Sequence, residues 1–189
     1  MEVNKKMYDI KQIQREIKEK ISEFRYEHSI RVAEEAKELA KHYKINEEKA
    51  YLAGIIHDIA KEFSNEENEK WIEKYNMPKE LLEPEYRNII HSDIGAVVAK
   101  EKYHLDDEIC NGIKYHTIGD VSMTLFDKII FIADKIGRKN NNLEIEQIKE
   151  LAYQNIDEAL KFYLIKRREK LESKGESFHP KALELLNSL

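Results

Sequence analysis

An imidazole and a carboxylate stand side by side inside the apolar run Tyr51-Leu52-Ala53-Gly54-Ile55-Ile56-His57-Asp58-Ile59-Ala60-Lys61. A segment this rich in Leu, Ile and Ala is bound for a core. An ionised carboxylate taken there needs a counter-charge or a metal, because burying it alone is costly. Any fold of this chain must therefore bring other polar groups to Asp58. On a continuous helix ending near Lys61, neighbouring side chains diverge by about 100°. His57 and Asp58 would then meet a single cation only at its edge, whereas the two oxygens of Asp58 can serve two cations.

The rest of the chain reads as helix. Ile10, Ile13, Ile17, Ile21 and Phe24 recur at helical spacing, predicting a first helix over about Asp9–Phe24 with Asp9 as N-cap. Arg25-Tyr26-Glu27-His28-Ser29 follows as a connector. A second helix then carries Val32, Ala36, Leu39, Ala40 and Tyr43, and Asn46 opens the third. Ser64–Leu82, with Pro78 and Pro84 after its short helical pattern, is expected to cross the core as an excursion or lid. Further helices are expected from about Tyr86, from Asp106 to His116, over Leu125–Ile136, over Leu143–Gln154 and over Asp157–Ser173, with a last turn at Pro180. Gly137 to Asn142 is expected to be a loop. No strand-period alternation occurs, so the fold class is all-α, a helical bundle.

At 189 residues the expectation is one domain, with a core over about 20–140 and closing helices over about 143–189. A net charge of -5 gives no reason to expect nucleic-acid or membrane-surface affinity. There is no run of about 18 apolar residues to span a membrane. Met1–Lys20 has no apolar signal-peptide core, so a cytoplasmic protein is expected. The single cysteine, Cys110, excludes an internal disulfide and a cysteine-rich zinc site.

His28, His57-Asp58, His91, His116 and Asp134 each lie in or at the edge of an apolar helical segment. One such histidine is usually a core residue making its own hydrogen bonds. Four of the seven histidines so placed, with two carboxylates, are a set. Imidazole and carboxylate together suit divalent first-row metals such as iron, manganese, cobalt or zinc. Six donors are too many for one four-coordinate zinc and fit two metals, with a carboxylate as bridge. His42, His104 and His179 lie in polar or turn contexts and read as surface, packing or structural residues.

The order His28…His57-Asp58…Asp134 resembles the HD superfamily of metal-dependent phosphohydrolases. The resemblance extends through His28-Ser29-Ile30-Arg31-Val32-Ala33, Ala53–Lys61, Ile90-His91-Ser92-Asp93-Ile94-Gly95-Ala96, His116-Thr117-Ile118-Gly119 and Lys128–Asp134 to Phe178-His179-Pro180 and Asn187. Over about residues 20–187 these motifs are similar to the YqeK-type family of symmetrical bis(5'-nucleosyl)-tetraphosphatases. That resemblance implies hydrolysis of diadenosine tetraphosphate to two ADP by a metal-bound hydroxide at an iron-containing two-metal centre. It implies one metal on His28, His57, Asp58 and Asp134 and another on Asp58, His91 and His116. Other HD proteins act on deoxynucleoside triphosphates, monophosphates, guanosine tetraphosphate or cyclic dinucleotides, and a non-catalytic metal-stabilised nucleotide-binding module is the third reading.

The substrate's charge calls for cations and donors beside the metals. Lys61, four residues after His57, is the first choice for a phosphate clamp and, with Asp58, for a catalytic role. Thr117, Arg25, Arg31 and Arg138 are the further phosphate-binding candidates, and Asp93 reads as a first-turn charge. The family's acidic-proline-x-arginine sequence after the last Asp is replaced here by Ile136-Gly137-Arg138-Lys139-Asn140, with Asn140 where the arginine is expected. Beyond a nucleotide, the partner expected is a second copy, through exposed apolar residues of the first or last helices.

Overall fold

The computed structural model describes residues 8–139 and 142–189, and its regular elements are all helical. In chain order they are α1 (Ile10–Lys18), α2 (Glu23–His42), α3 (Glu47–Ile56), α4 (Asn65–Lys74), α5 (Ile90–Glu101), α6 (Asp107–Tyr115), α7 (Leu125–Ile136), α8 (Leu143–Gln154), α9 (Ile156–Glu172) and α10 (Pro180–Ser188). Two short 3-10 turns, Lys79–Leu82 and Pro84–Tyr86, lead into α5. Asn140, and with it the substitution for the expected arginine, lies outside the described residues.

Polar caps set the starts. The side chains of Asp9, Ser22, Asn46, Ser64, Asp106, Thr124, Asn142, Asn155 and His179 accept backbone N–H bonds at the first turns of their helices. Each such bond satisfies a donor the helix leaves open, worth about 1 kcal/mol. Left-handed residues close three helices: Lys44, Asn76 and His104 have positive φ. The N–H groups of Ile45, Met77 and Leu105 then return to the carbonyls of Ala40, Ile72 and Ala99. His104 is thus a helix-ending residue, while His42 packs edge-on against Tyr43 and Tyr153.

Three boundaries differ from the sequence reading. The first helix stops at Lys18, and a new one begins at Glu23 under a Ser22 cap. The Glu62 carboxylate holds that cap, accepting from Ser22 N at 2.7 Å and Oγ at 2.6 Å. Arg25–Ser29 are consequently helical, and Phe24, expected to end the apolar face of the first helix, is 66% exposed. Likewise α3 ends at Ile56, so His57-Asp58 lies just beyond the regular helix, where Ile59, Lys61 and Phe63 make i→i+3 bonds to Ile56, Asp58 and Ala60. The expected last turn at Pro180 is a nine-residue helix.

Two groups of buried apolar residues share α7 as a wall. Ile130 and Ala133 face the group built mainly by α1–α6, while Ile129, Phe131, Ile132 and Ile136 face the one built with α8–α10. From Phe126 to Ile136 only Lys128 escapes burial. Against this wall α2 and α3 pack through small residues: Ala33, Ala36, Ala40, Ala50, Ala53 and Gly54 are all buried. A Cβ at Gly54 would stand 2.5 Å from Ala33 Cα and 2.7 Å from Ala33 N. The absent side chain therefore sets the α2–α3 distance, and with it the distance from His28 to His57. Among the described residues no helix is long and apolar enough to cross a membrane.

Candidate metal centre

Five segments converge behind these helices. His28 comes from the second turn of α2, His57 and Asp58 from just past α3, His91 from the first turn of α5, His116 from the end of α6 and Asp134 from α7. All six side chains are buried, with His57 fully so. The apolar flanks that marked them in the sequence are what carry them inward.

Their polar atoms form two groups that meet at Asp58. His28 Nε2 lies 3.0 Å and His57 Nε2 3.6 Å from Asp134 Oδ1, and His57 Nε2 is 3.5 Å from Asp58 Oδ2. The other Asp58 oxygen, Oδ1, is 3.4 Å from His91 Nε2 and 3.6 Å from His116 Nε2, and these two nitrogens are 3.2 Å apart. Each oxygen of one carboxylate thus faces its own pair or single imidazole nitrogen.

The donor set fits two metal ions. The Nδ1 atoms of His57 and His116 pair with the backbone carbonyls of Gly54 at 2.7 Å and Ile113 at 2.6 Å. A carbonyl only accepts, so Nδ1 carries a proton in both rings, and Nε2 is the nitrogen that faces the cluster and would offer its lone pair to a metal that displaces any proton there. His57 Nε2 is buried and has no hydrogen-bond partner. Its carboxylate neighbours stand too far for good hydrogen bonds, yet two atoms each about 2.1 Å from one cation lie about 3.0–3.5 Å apart. Among the described residues, His28–His57–Asp58 and Asp58–His91–His116 each bring one ligand atom apiece within 4.8 Å of one another.

The cluster's own field favours cations. Burial opposes charge on His57, but Asp58 and Asp134 outweigh it and push the imidazole up to about 10. Burial likewise opposes charge on Asp58, yet His57 and His116 hold its carboxyl well below the usual range. For Asp134, burial is overcome by Lys135 first and then by His28 and His57. Burial depresses His91 and His116, leaving them neutral, as ligands must be.

The expected phosphate contacts separate into two sets. Lys61 Nζ lies 3.2 Å from His91 Nε2, and Thr117 Oγ1 lies 3.3 Å from the same atom and 3.2 Å from His116 Nε2. Arg25 Nη1 donates to Asp58 Oδ2 at 2.7 Å, and its buried Nε has no partner. Arg31, in contrast, donates from Nε to the Gly137 carbonyl at 3.0 Å, pinning the loop after Asp134 to α2. Arg138 is exposed in that loop. Asp93 is elsewhere: with Ser92, Ala96, Val97 and Lys100 it lines a cavity of about 510 Å³ on the other face of α5. Met77, Pro78 and Leu81 of the expected lid segment border this cavity too.

Lys135 is a residue the sequence reading passed over. It is 4% exposed and donates to Asp134 Oδ2 at 2.7 Å and to the His116 carbonyl at 2.9 Å. The available signal was a lysine interrupting the apolar run Ile129–Ile136.

Comparison with known proteins gives concordant results. The HD domain model matches residues 25–139. A Bacillus subtilis protein named bis(5'-nucleosyl)-tetraphosphatase, symmetrical, is 35% identical over 147 residues, 76% of this chain and 77% of its own. A Halalkalibacterium halodurans protein of the same name is 32% identical over 174 residues, 92% of each chain. A crystal structure from Clostridium acetobutylicum, described as a predicted HD superfamily hydrolase involved in NAD metabolism, superposes with a TM-score of 0.87 at 28% identity. It covers 96% of this chain and 97% of its own.

Proposed function

The chain belongs to the HD-domain family, among the symmetrical bis(5'-nucleosyl)-tetraphosphatases, and we propose that it hydrolyses diadenosine tetraphosphate to two ADP at this cluster. The observation that carries the two-metal part of the reading is Asp58, whose two oxygens face separate imidazole groups at 3.4–3.6 Å. His28, His57, Asp58 and Asp134 would hold one metal, and Asp58, His91 and His116 the other. When bound, such ions neutralise phosphate charge and lower the pKa of a coordinated water. Iron is the metal proposed first, and the nitrogen–oxygen donor set also suits manganese, cobalt and zinc.

The chain's own groups supply the rest. Lys61 and Thr117 converge on the nitrogen of His91, so an ammonium and a hydroxyl would donate to the same phosphate oxygen or to neighbouring ones. Arg25 brings a second cation to the Asp58 side of the cluster. Two donors beside His91 and a third on Asp58 suit a substrate with several negative charges and a leaving ADP whose oxygen gains charge as the bond breaks. The backbone bonds at Nδ1 of His57 and His116 prevent both rings from turning. Arg31 and Arg138 contribute through the loop after Asp134, as its anchor and as an exposed charge.

Hydrolysis of the central anhydride adds one water across P–O–P and yields ADP alone, whereas an asymmetric cut yields AMP and ATP. Chromatography of the products, with protein loaded in turn with iron, manganese, cobalt and zinc, tests the proposal. ADP as sole product supports it. AMP plus ATP, or faster turnover of a deoxynucleoside triphosphate, guanosine tetraphosphate or a cyclic dinucleotide, overturns the substrate. Absence of turnover with every metal favours a binding module.

A further inference from the structure

We propose that Lys135 is a positioning residue that couples the two halves of the metal centre, its ammonium gripping the Asp134 carboxylate of one half and the backbone carbonyl of His116 in the other. Lysine almost never becomes buried unless it is paired, and a lysine near a surface normally carries its head out to water. Lys135 does the opposite. Its Nζ donates at 2.7 Å to Asp134 Oδ2 and at 2.9 Å to His116 O. The rings of Phe131 and Tyr163 lie 4.5 and 5.4 Å from it, offering their faces to the cation.

Neutralising Asp134 would require only the first of these bonds. The second goes to the residue whose Nε2 faces Asp58 Oδ1. One side chain thus ties the C-terminal end of α6 to α7 across the centre and fixes how far His116 stands from Asp134. It also sorts the two oxygens of Asp134. With Oδ2 taken by Lys135, only Oδ1 remains turned toward His28 and His57. Asp134 is held as a one-oxygen donor, while Asp58 is the carboxylate that presents an oxygen to each half.

The proposal rests on the reading of these residues as a two-metal site, and the experiment separates the two. Wild-type protein and Lys135→Met are stripped with chelator, checked by circular dichroism, and titrated with manganese against a competing chelator. Steady-state kinetics follow on the reloaded proteins. Loss of a partner that orients metal ligands costs about 10–100-fold in metal affinity or activity, and that loss is expected in Lys135→Met with metal-free helicity unchanged. The kinetic loss should fall on kcat, with KM within about threefold of wild type, because Lys135 does not reach substrate. Lys135→Arg, which keeps a cation able to reach both acceptors, should recover most of the affinity. Tyr163→Leu removes the more distant of the two ring contacts but neither of the ammonium's hydrogen bonds, and should lower thermal stability while leaving metal affinity within about threefold of wild type. If Lys135→Met fails to fold, Lys135→Gln takes its place, keeping a donor but not the charge. A tenfold or greater loss there upholds the proposal. Wild-type affinity and kcat in the folded neutral variant overturn it. Failure of the wild-type protein to bind metal overturns the two-metal reading instead.

Discussion

Replacing Gly54 by alanine adds one methyl group, far smaller than any change at a ligand, and should disable the centre. The methyl carbon would stand 2.5 Å from Ala33 Cα, 2.7 Å from Ala33 N and 3.1 Å from Val32 C, all backbone atoms that no rotamer change can move. Ordinary contact begins at 3.4 Å, so α3 must retreat from α2 by about 0.9 Å. His28 rides on α2, whereas His57 and Asp58 follow directly from α3, and the Gly54 carbonyl itself receives His57 Nδ1 at 2.7 Å. The displacement therefore opens the His28–His57–Asp58 half of the site by a similar amount. Overpacking of this kind costs about 1–3 kcal/mol, and a misplacement near 1 Å at a reacting centre costs about 100-fold in rate.

The assay pairs urea unfolding with turnover of diadenosine tetraphosphate in Gly54→Ala and a control, Gly175→Ala. Gly175 has a φ of +71° and nothing within 4 Å of an added Cβ, so alanine there strains the backbone without touching the centre. The left-handed region costs an ordinary residue about 1–2 kcal/mol, giving a protein destabilised to a similar degree. Gly54→Ala should lose stability and about two orders of magnitude in kcat, while Gly175→Ala loses stability alone. Wild-type turnover in a folded Gly54→Ala protein would refute the argument that this contact sets the spacing of the ligands. Equal loss of activity in both variants would show that stability, not geometry, limits the assay.

Asp58→Ala removes both oxygens at the meeting point and should lose metal and hydrolysis together; near-normal activity with metal retained would sink the two-metal reading. Chelator treatment should abolish turnover while far-ultraviolet circular dichroism stays almost unchanged, because the apolar faces hold the helices; a large loss of helicity would make the metals structural. Lys61→Met should lower kcat/KM with metal content unchanged, and loss of metal from that variant would assign Lys61 to the centre's assembly instead. Burial pushes the Cys110 thiol from an ordinary value near 9 up to about 11. Its thiolate at pH 8 should then be about 100-fold scarcer than on a free cysteine, so iodoacetamide should label it mainly as the chain unfolds. Because the native state keeps the proton more tightly, this group's contribution to stability is full below about pH 9 and is lost as pH rises toward 11; native labelling at a free thiol's rate counts against the burial argument.

The six clustered residues were legible because each violates its surroundings: a polar side chain in an apolar helical run is visible without any knowledge of contacts. The helix breaks were not legible, for a different reason. Ile13, Ile17, Ile21 and Phe24 keep helical spacing across the α1–α2 junction, so periodicity alone sees no interruption. What interrupts it is Glu62, forty residues further along, bonding to Ser22 at both N and Oγ. A non-local carboxylate decides whether a serine is mid-helix or a cap, and no window of local sequence contains it. Phe24 moves from the expected end of the first helix to the first turn of α2 by the same event.

The end of α3 shows how such a misreading bears on chemistry. On a continuous helix His57 and Asp58 diverge by about 100° and share a cation poorly. Regular helix stops at Ile56, and the i→i+3 turns that follow widen that angle to about 120°, so the pair meets only at its edges, His57 Nε2 and Asp58 Oδ2 3.5 Å apart, while Oδ1 is left to His91 and His116. The sequence carries no glycine or proline from Ile55 to Lys61 to announce this break. It follows from packing: the Gly54 carbonyl is taken by the His57 ring rather than by a further turn of helix, and the α2–α3 contact at Gly54 fixes where that ring stands. Read this way, Gly54 contributes no ligand, yet it fixes both the approach of His28 to His57 and the tautomer of His57.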